Sequence, residues 1–178
     1  TGAGAGSWNL SAITGNSGDC LGNTGITFTA GTIQTSNGTT SFNWSNATRW
    51  TSRVPLPQDD VQLQNAFDAG QTVALDMPRA GESITWTNTG NSVAWAKTTA
   101  STIFGDLVMT NTSLMTNTGT AIIAIQSRAS SSITSAGQTF SNPLKIEAVG
   151  GTVRLFDAFV GSSTLTHRLA SQSCTVAA

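Results

Sequence analysis

Adjacent carboxylates are the first residues in this chain whose types and spacing could perform chemistry. Asp59 and Asp60 are its only acidic residues that stand side by side. Two carboxyl groups that face one sugar can hydrolyse a glycosidic bond by acid–base catalysis. These two lead into a predicted strand at 61–64, however, and neighbours in a strand point to opposite faces. We therefore expect two independent turn or cap roles and assign no catalytic residue.

Metal binding is the second chemistry to consider. A calcium site would need converging oxygens, as in D-x-D-x-D-G or G-G-x-G-x-D, and neither pattern occurs. His167 is the only histidine, and it lacks the clustered ligands of a metal site and the G-x-S-x-G turn of a nucleophile. Its alternation with Leu165 predicts a packed, inward-facing side chain. We expect no metal and no cofactor, and we expect turn-capping roles for the recurring aspartates Asp68, Asp76, Asp106 and Asp157.

Tryptophans are candidates for stacking on sugars. Trp86 shares its parity with Ile84, and Trp95 shares its parity with Val93, so alternation favours a core position for both rings. Contact with a ligand is more plausible for the tryptophans at 44 and 50, although a capping role explains them equally well. The sequence leaves any binding residue undefined.

The two cysteines, Cys20 and Cys174, are far apart in the sequence. A disulfide requires Cα atoms within about 7 Å. In a stacked structure they meet only if the N-terminal segment runs back along the stack, so free thiols or a contact between subunits are the default expectation. The N-x-S/T sequons are expected to arise by chance in a chain this rich in the three residue types, and they begin at Asn9, Asn37, Asn43, Asn46 and Asn111.

Short apolar segments that recur about every 20 residues are the elements that must position these side chains. A second, looser series interleaves with the first and is centred on Leu63, Ile84, Leu107, Ile146 and Leu165, with a possible extra member at 121–125. Within the segments, apolar and polar residues alternate as in strands with one buried face. A fixed period of this length indicates stacked turns rather than a globular core. We predict one parallel sheet, stacked in register, through the first series: Val73, Val93, Leu114, Ile133 and Val153.

Composition limits the classes of function. Charged residues make up 10% of the 178 residues, against about 25% in an average soluble domain. The net charge of −1 gives no electrostatic footprint for nucleic acid. No stretch approaches the roughly 20 apolar residues that cross a bilayer, and no signal peptide is visible. The chain begins at Thr1, as expected of a processed product or of a fragment.

The chain divides into three predicted regions. Residues 1–40 are rich in glycine and form an extended N-terminal segment, which we expect to pack on a partner because it contains few large apolar residues. Residues 41–60 contain two tryptophans and two prolines and suit a cap over apolar core and free strand edges. Residues 61–178 form the solenoid, in which the predicted buried residues are Ile84, Trp86, Leu107, Ile146 and Leu155.

Two runs of sequence carry a resemblance to a known group. The pattern W-S-x-A-x-x-W followed by V-P-x-P-x-D-D-V, from Trp44 to Val61, resembles the N-terminal cap of bacterial and phage parallel β-helix proteins. Residues 133–159 are similar to a segment of phage structural proteins with I-T-S-x-G, then N-P, then G-G-T-V-x-L-x-D. The segments 83–90 and 102–109 also look like that group. The similarity covers roughly residues 41–168 and implies an architecture, not a set of catalytic residues.

These observations predict an all-β fold, a right-handed parallel β-helix of about five coils with an N-terminal cap. A β-sandwich or jelly roll is the alternative, because short strands with glycine-rich turns also suit it. The expected function is that of a structural virion protein, such as a capsid decoration, tail or fibre component, located in the virion and without catalytic activity.

The expected partners are other virion proteins or copies of the chain, with no nucleic acid and no membrane. The alternative function is an extracellular or cell-surface adhesin that binds glycans. A polysaccharide depolymerase ranks third, and an ice-binding face built from T-x-T pairs ranks fourth because the pairs do not recur in every coil.

Overall fold

The fold consists of short parallel strands in a computed structural model, which describes residues 7–87, 89–110, 115–147, 151–161, 164–167 and 176–177. The described residues contain one 3-10 helix, Ala47–Arg49, and no α-helix. The strands are β1 (Trp8–Asn9), β2 (Ile26–Thr27), β3 (Ile33–Thr35), β4 (Phe42–Asn43), β5 (Asp60–Leu63), β6 (Ala66–Phe67), β7 (Thr72–Leu75), β8 (Arg79–Gly81), β9 (Ile84–Trp86), β10 (Thr89–Gly90), β11 (Val93–Lys97), β12 (Ser101–Ile103), β13 (Leu107–Met109), β14 (Met115–Gly119), β15 (Ile123–Ile125), β16 (Ser131–Thr134), β17 (Thr139–Phe140), β18 (Leu144–Ile146), β19 (Val153–Leu155), β20 (Val160–Gly161), β21 (Leu165–His167) and β22 (Val176–Ala177).

Three sheets form the faces of a β-solenoid. Face 1 is the seven-stranded sheet β3-β5-β9-β13-β16-β19-β22, face 2 is β4-β7-β11-β14, and face 3 is β8-β12-β15-β18-β21. From β5 to β16, the chain passes through face 1, face 2 and face 3 before it returns to face 1 one turn later. Every pairing between these strands is parallel, and each strand pairs with strands one turn away.

The predicted parallel β-helix is confirmed, and the alternative of a sandwich or jelly roll does not apply. Face 1 contributes one strand to each turn, so the solenoid has about seven turns instead of the five that we predicted. The additional turns come from both ends. In particular, β3 and β4 already pair with β5 and β7, so solenoid strands begin at Ile33, before the predicted boundary at residue 61.

The prediction of a single sheet through the first apolar series is wrong, because the repeat is longer than 20 residues. Val73 pairs with Trp95, and Ile133 pairs with Leu155, so partners stand 22 positions apart. Steps of 20 residues are shorter than one turn, so each further member of the series lies earlier in its turn than the member before it. After several steps, the series has therefore moved from one face to the face that precedes it along the chain. Val73 and Val93 therefore lie on face 2, whereas Ile133 and Val153 lie on face 1. Leu114 lies outside the described residues.

Alternation along the strands fills the space between the faces. Of the five residues predicted to be buried, Ile84, Trp86, Leu107 and Ile146 are fully buried, whereas Leu155 packs against the core with part of its surface exposed. Stacked positions repeat from turn to turn, and the ladder Val61, Ile84, Leu107 is an example. Burial of these side chains is the main favourable contribution to folding.

A loop after β4 closes the N-terminal end of the core. The indole Nε1 of Trp44 donates to the carbonyl of Ala80 at 3.1 Å, and Nε1 of Trp50 donates to the carbonyl of Trp44 at 2.7 Å. Both rings are buried. Trp50 also forms an antiparallel bridge with Ser36, next to the outer strand of face 1. The loop therefore covers both the apolar core and an edge strand, and an uncovered edge would invite pairing with another chain.

The N-terminal arm (residues 7–32) packs on its own solenoid. Gln58, in the loop that follows the tryptophans, accepts a hydrogen bond from the backbone N–H of Asp19 at 2.8 Å. Its Nε2 donates to the carbonyls of Ser17 and Thr29, both at 2.8 Å. Gly31 passes so close that a Cβ there would lie 2.2 Å from the carbonyl oxygen of Gln58. The expectation that this segment needs a partner to pack on is therefore wrong for the portion from 17 to 32.

Trp86→Ala tests the apolar core. Trp86 is fully buried and its ring lies 5.4 Å from that of Trp95, so we expect a loss of about 3–5 kcal/mol in the free energy of unfolding. Urea denaturation measures the loss. Trp8→Ala is the matched control, because that ring is 62% exposed, and we expect little change. Equal effects of the two substitutions would contradict the packing described above.

Gln58→Ala tests the attachment of the arm. The substitution removes three hydrogen bonds, each with a net contribution of about 1 kcal/mol, so the arm should detach before the solenoid unfolds. Limited proteolysis should cleave the variant within 17–32 while the wild-type monomer stays protected there. Gln62→Ala, on the solvent side of β5, is the control and should keep the arm protected. Rapid cleavage of the wild type would show that the arm is not held by its own solenoid.

Candidate functional site

The recurring aspartates connect consecutive turns, which confirms the predicted turn-capping role. Asp106 Oδ1, for example, accepts hydrogen bonds from the backbone N–H of Ser132 at 2.6 Å and from its hydroxyl at 2.9 Å. Each acceptor lies one turn away from its donor, so the bonds stabilise the stack. The other contacts of this kind are Asp68 with Thr39, Asp76 with Ser45, and Asp157 with Ser135 and Ala136.

Asp157 shows the electrostatic consequence of this arrangement. Partial burial would by itself raise the pKa of its carboxyl group, but hydrogen bonds from Ser135 and Ala136 favour the ionised form and lower the pKa overall. The contribution of Asp157 to stability is therefore present above the ordinary carboxyl pKa and is lost as the pH falls through its lowered value. This carboxylate acts as a structural acceptor.

Asp59 and Asp60 lie in different environments, one buried and the other exposed. Asp59 is fully buried and pairs with Arg53, whose Nη2 lies 2.6 Å from its Oδ1. It also accepts hydrogen bonds from the backbone N–H groups of Thr32 and Leu56, both at 2.8 Å. Asp60 is exposed at the start of β5. Asp59 thus joins the arm, the capping loop and the first long strand of face 1.

Glu82 is the described group that most resembles a general acid. Burial raises the pKa of its carboxyl group, and repulsion from Asp60, Asp106 and Asp19 raises it further. A raised pKa is typical of catalytic acids, but it also results from simple crowding of like charges. Among the described residues, no group of three or more potential ligands could hold a metal ion.

One histidine and two cysteines are the remaining residues whose side chains could bind a metal or react. His167 lies in β21, where its backbone pairs with Ile146, and its side chain lies outside the described residues, as do Cys174 and Asn111. Cys20 is a free thiol of intermediate exposure. It lines a cavity of about 370 Å³ between the arm and the corner that joins faces 3 and 1, together with Leu21, Asn23, Phe104, Gln126, Ser127, Arg128 and Glu147.

The tryptophans after the arm belong to the core, so none of them offers a ring to a ligand. The core positions predicted for Trp86 and Trp95 are confirmed, and the idea that Trp44 and Trp50 contact ligands is wrong because both are buried in the capping loop. The exposed aromatic rings in the described part of the chain are Trp8, on the arm, and Phe156, after β19.

A groove on the outer surface of face 1 contains one of these rings. Its volume is about 380 Å³, and Phe156 lies in it with 59% of its surface exposed. The guanidinium of Arg154 lies 4.8 Å from the centre of the ring. The rest of the lining is polar and consists of Asp106, Ser130, Ser131, Ser132 and Thr152. This groove was not predicted from the sequence. The available signal was that Leu155 and Phe156 are adjacent, so that one of the two side chains has to face outward.

The interior of face 2 contains a buried amine. Lys97 is 1% exposed, and its Nζ donates to Oδ1 of Asn117 at 2.5 Å and lies 4.7 Å from the centre of the Trp95 ring. Burial without a charged partner lowers the pKa of this lysine to about 7. Lys97 stands at the same alternate positions of β11 as Val93 and Trp95, and in the sequence this alternation was the sign of an inward-facing side chain.

Comparison with known proteins does not extend this picture. No protein-family model, curated protein or solved structure matches the chain. In the described part of the chain, no helix has the length and apolar character needed to cross a membrane.

Lys97→Met tests the energetic effect of the buried amine. Because the folded pKa of about 7 lies below the ordinary 10.5, the unfolded state binds more protons between these values. The stability of the wild type should therefore rise from pH 7 to 10.5, while that of Lys97→Met stays nearly constant. Each pKa unit corresponds to about 1.4 kcal/mol, so the variant should be more stable by several kcal/mol below pH 7.

The measurement is urea denaturation across this pH range, in a buffer without small inorganic anions. Lys145→Met is the matched control, because Lys145 pairs with Glu147 near the surface. Parallel pH profiles for the wild type and Lys97→Met would show that Lys97 stays charged in the folded state.

Proposed function

We propose that the chain is a rigid structural protein without catalytic activity, a component of a virion surface such as a capsid decoration, tail or fibre. The observation that carries this proposal is that its aspartate carboxylates are engaged in hydrogen bonds between turns. The aspartates that recur near strand ends accept hydrogen bonds from backbone N–H and hydroxyl groups of the turn before or after their own. Side chains committed in this way hold turns together and are poorly placed to take part in a reaction.

The surface and core suit a structural role. Parallel strands pair their backbone polar groups with those of the neighbouring turns, and the outer surface depends on hydroxyl and amide groups more than on charge. The resemblance of residues 44–61 and 133–159 to phage β-helix proteins supports placement in a virion. Other virion proteins or copies of this chain are the partners that this placement implies.

Location is the direct test of the structural proposal. Immunogold electron microscopy, with antibodies against the purified chain, should label virions from the source culture. Sequencing of the flanking DNA should show capsid, portal or tail genes. Labelling of the bacterial surface, next to genes for a secretion apparatus, would instead support an adhesin.

Glu82→Gln tests the enzymatic alternative. We expect the wild type to release no reducing ends from a panel of polysaccharides. The variant should fold and be slightly more stable near neutral pH, because it removes the crowding of carboxylates at that corner. Asp68→Asn is a control outside this corner. Hydrolysis by the wild type that is lost in Glu82→Gln and kept in Asp68→Asn would overturn the proposal.

Glycan binding is the second candidate, and the groove at Phe156 favours it. An exposed aromatic ring offers an apolar face to a sugar, and the neighbouring hydroxyls, carboxylate and guanidinium offer hydrogen bonds to its polar groups. The apposition of Arg154 and Phe156 further suits an acidic sugar, whose carboxylate would pair with the guanidinium.

Phe156→Ala distinguishes this candidate from a purely structural role. On a glycan array, binding through the groove should be lost in Phe156→Ala and reduced for acidic glycans in Arg154→Gln. Trp8→Ala removes the exposed ring of the arm and should leave such binding unchanged. The absence of any wild-type signal, or equal loss in Phe156→Ala and Trp8→Ala, would exclude the groove as a glycan site.

A further inference from the structure

On the inward side of face 2, three nitrogen-containing side-chain groups have more N–H donors than there are acceptors bonded to them. Lys97 contributes an ammonium with three N–H donors, and the contact with Asn117 Oδ1 uses one of them. Among the described residues, the Nδ2 of Asn117 and the indole Nε1 of Trp95 have no hydrogen-bond partner, and both atoms are buried. Unpaired buried donors are rare in proteins, and a bound water molecule or ion is one of their ordinary explanations.

The three groups belong to one small region of the core. Trp95 and Asn117 are register partners on β11 and β14, and Lys97 lies two residues after Trp95 on the same face. The Lys97 ammonium lies over the Trp95 ring at 4.7 Å and touches the Asn117 carboxamide at 2.5 Å. The Trp95 ring and the Asn117 carboxamide, which carry the two unpaired N–H groups, are therefore both direct neighbours of the Lys97 ammonium.

No charged group in the described part of the chain balances this ammonium. On the neighbouring strands, Lys97 pairs with Leu75 on β7 and with Gly119 on β14. Across the core, Trp86 of face 1 packs on Trp95. The ion pairs of the described residues involve Arg53 and Lys145, not Lys97. A buried cation without a counter-charge is costly, so an anion among these donors would be strongly favoured.

We propose that Lys97, Trp95 and Asn117 form a buried binding site for a small monovalent anion the size of chloride. Such an ion accepts several N–H donors at once and supplies the missing negative charge. The size limit follows from burial, because Trp95 is fully buried and Lys97 is 1% exposed. Water could also accept from these donors, but it would leave the charge unbalanced.

Thermal unfolding in different salts tests the site. An anion that binds only the folded state raises the melting temperature with the logarithm of its concentration. Sodium chloride and sodium bromide should therefore raise Tm above its value in sodium gluconate of equal ionic strength, because gluconate is too large to enter. The difference should be largest below pH 7 and should vanish near pH 10.5, since the site needs the protonated amine. Equal Tm in chloride and gluconate below pH 7 would overturn the proposal.

Two variants locate the effect. Lys97→Met removes the charge and should abolish the difference between chloride and gluconate. Asn117→Asp places a carboxylate beside the ammonium, so it should abolish the difference while it keeps or raises the Tm in gluconate. Lys145→Met, at the ion pair with Glu147, should respond to chloride as the wild type does. Persistence of the full chloride effect in both Lys97→Met and Asn117→Asp would place the anion elsewhere and contradict the proposal.

Crystallography provides an independent readout that does not depend on stability. In crystals grown in sodium bromide, an anomalous difference peak should lie within hydrogen-bond distance of Lys97 Nζ and of Asn117 Nδ2 or Trp95 Nε1. A peak without anomalous signal at that position would identify a water molecule, and the anion proposal would then be wrong. The site is independent of the proposed function, because it would stabilise the solenoid in a virion protein and in an adhesin alike.

Discussion

The structure depends on the pairing of each strand with the strands one turn before and after it. Parallel pairing fixes the register, and a shift by one residue would turn every inward side chain outward. The inward ladder Val61, Ile84, Leu107 is kept because its members stand 23 positions apart in both steps. A turn that is longer than 23 residues therefore has to place its extra residues at the corners between faces, where they do not change the register of the strands. The step from Leu107 to Ile133 is longer, at 26 positions, and the pairing on face 1 is nevertheless preserved.

The same pairing creates a problem at the ends, where a strand has a neighbour on one side. At the N-terminal end, Trp50 bridges to Ser36 and the rings at 44 and 50 fill the opening of the core. Gln58 and Asp59 then connect this loop to the arm. Gln58 does so through three hydrogen bonds, and the buried carboxylate of Asp59 does so by contacting Thr32 of the arm and Arg53 of the loop. Closure of the end and attachment of the arm thus rest on neighbouring residues.

Sequence alone predicted the parallel solenoid, the inward positions of Trp86 and Trp95 and the capping aspartates, because all three follow from alternation and from punctuation by turns. The number of turns and the sheet assignments were wrong because an approximate period accumulates error from turn to turn. The packing of the arm was missed because Gln58 holds it through polar contacts, which leave no hydrophobic signal. The groove at Phe156 and the donors around Lys97 depend on neighbours one turn away, and their spacing becomes known only once the register is known.

The near-constant turn has an evolutionary consequence. Each turn contacts mainly the turns before and after it, as in other repeat structures. Duplication of one turn, such as residues 84–106, would insert a unit whose strands match the pairing above and below it. The capping loop and the arm's attachment at Gln58 would remain as they are, and the molecule would lengthen by about 4.8 Å. Duplication of whole turns within the gene can therefore lengthen such a solenoid in fixed increments without a change at either end.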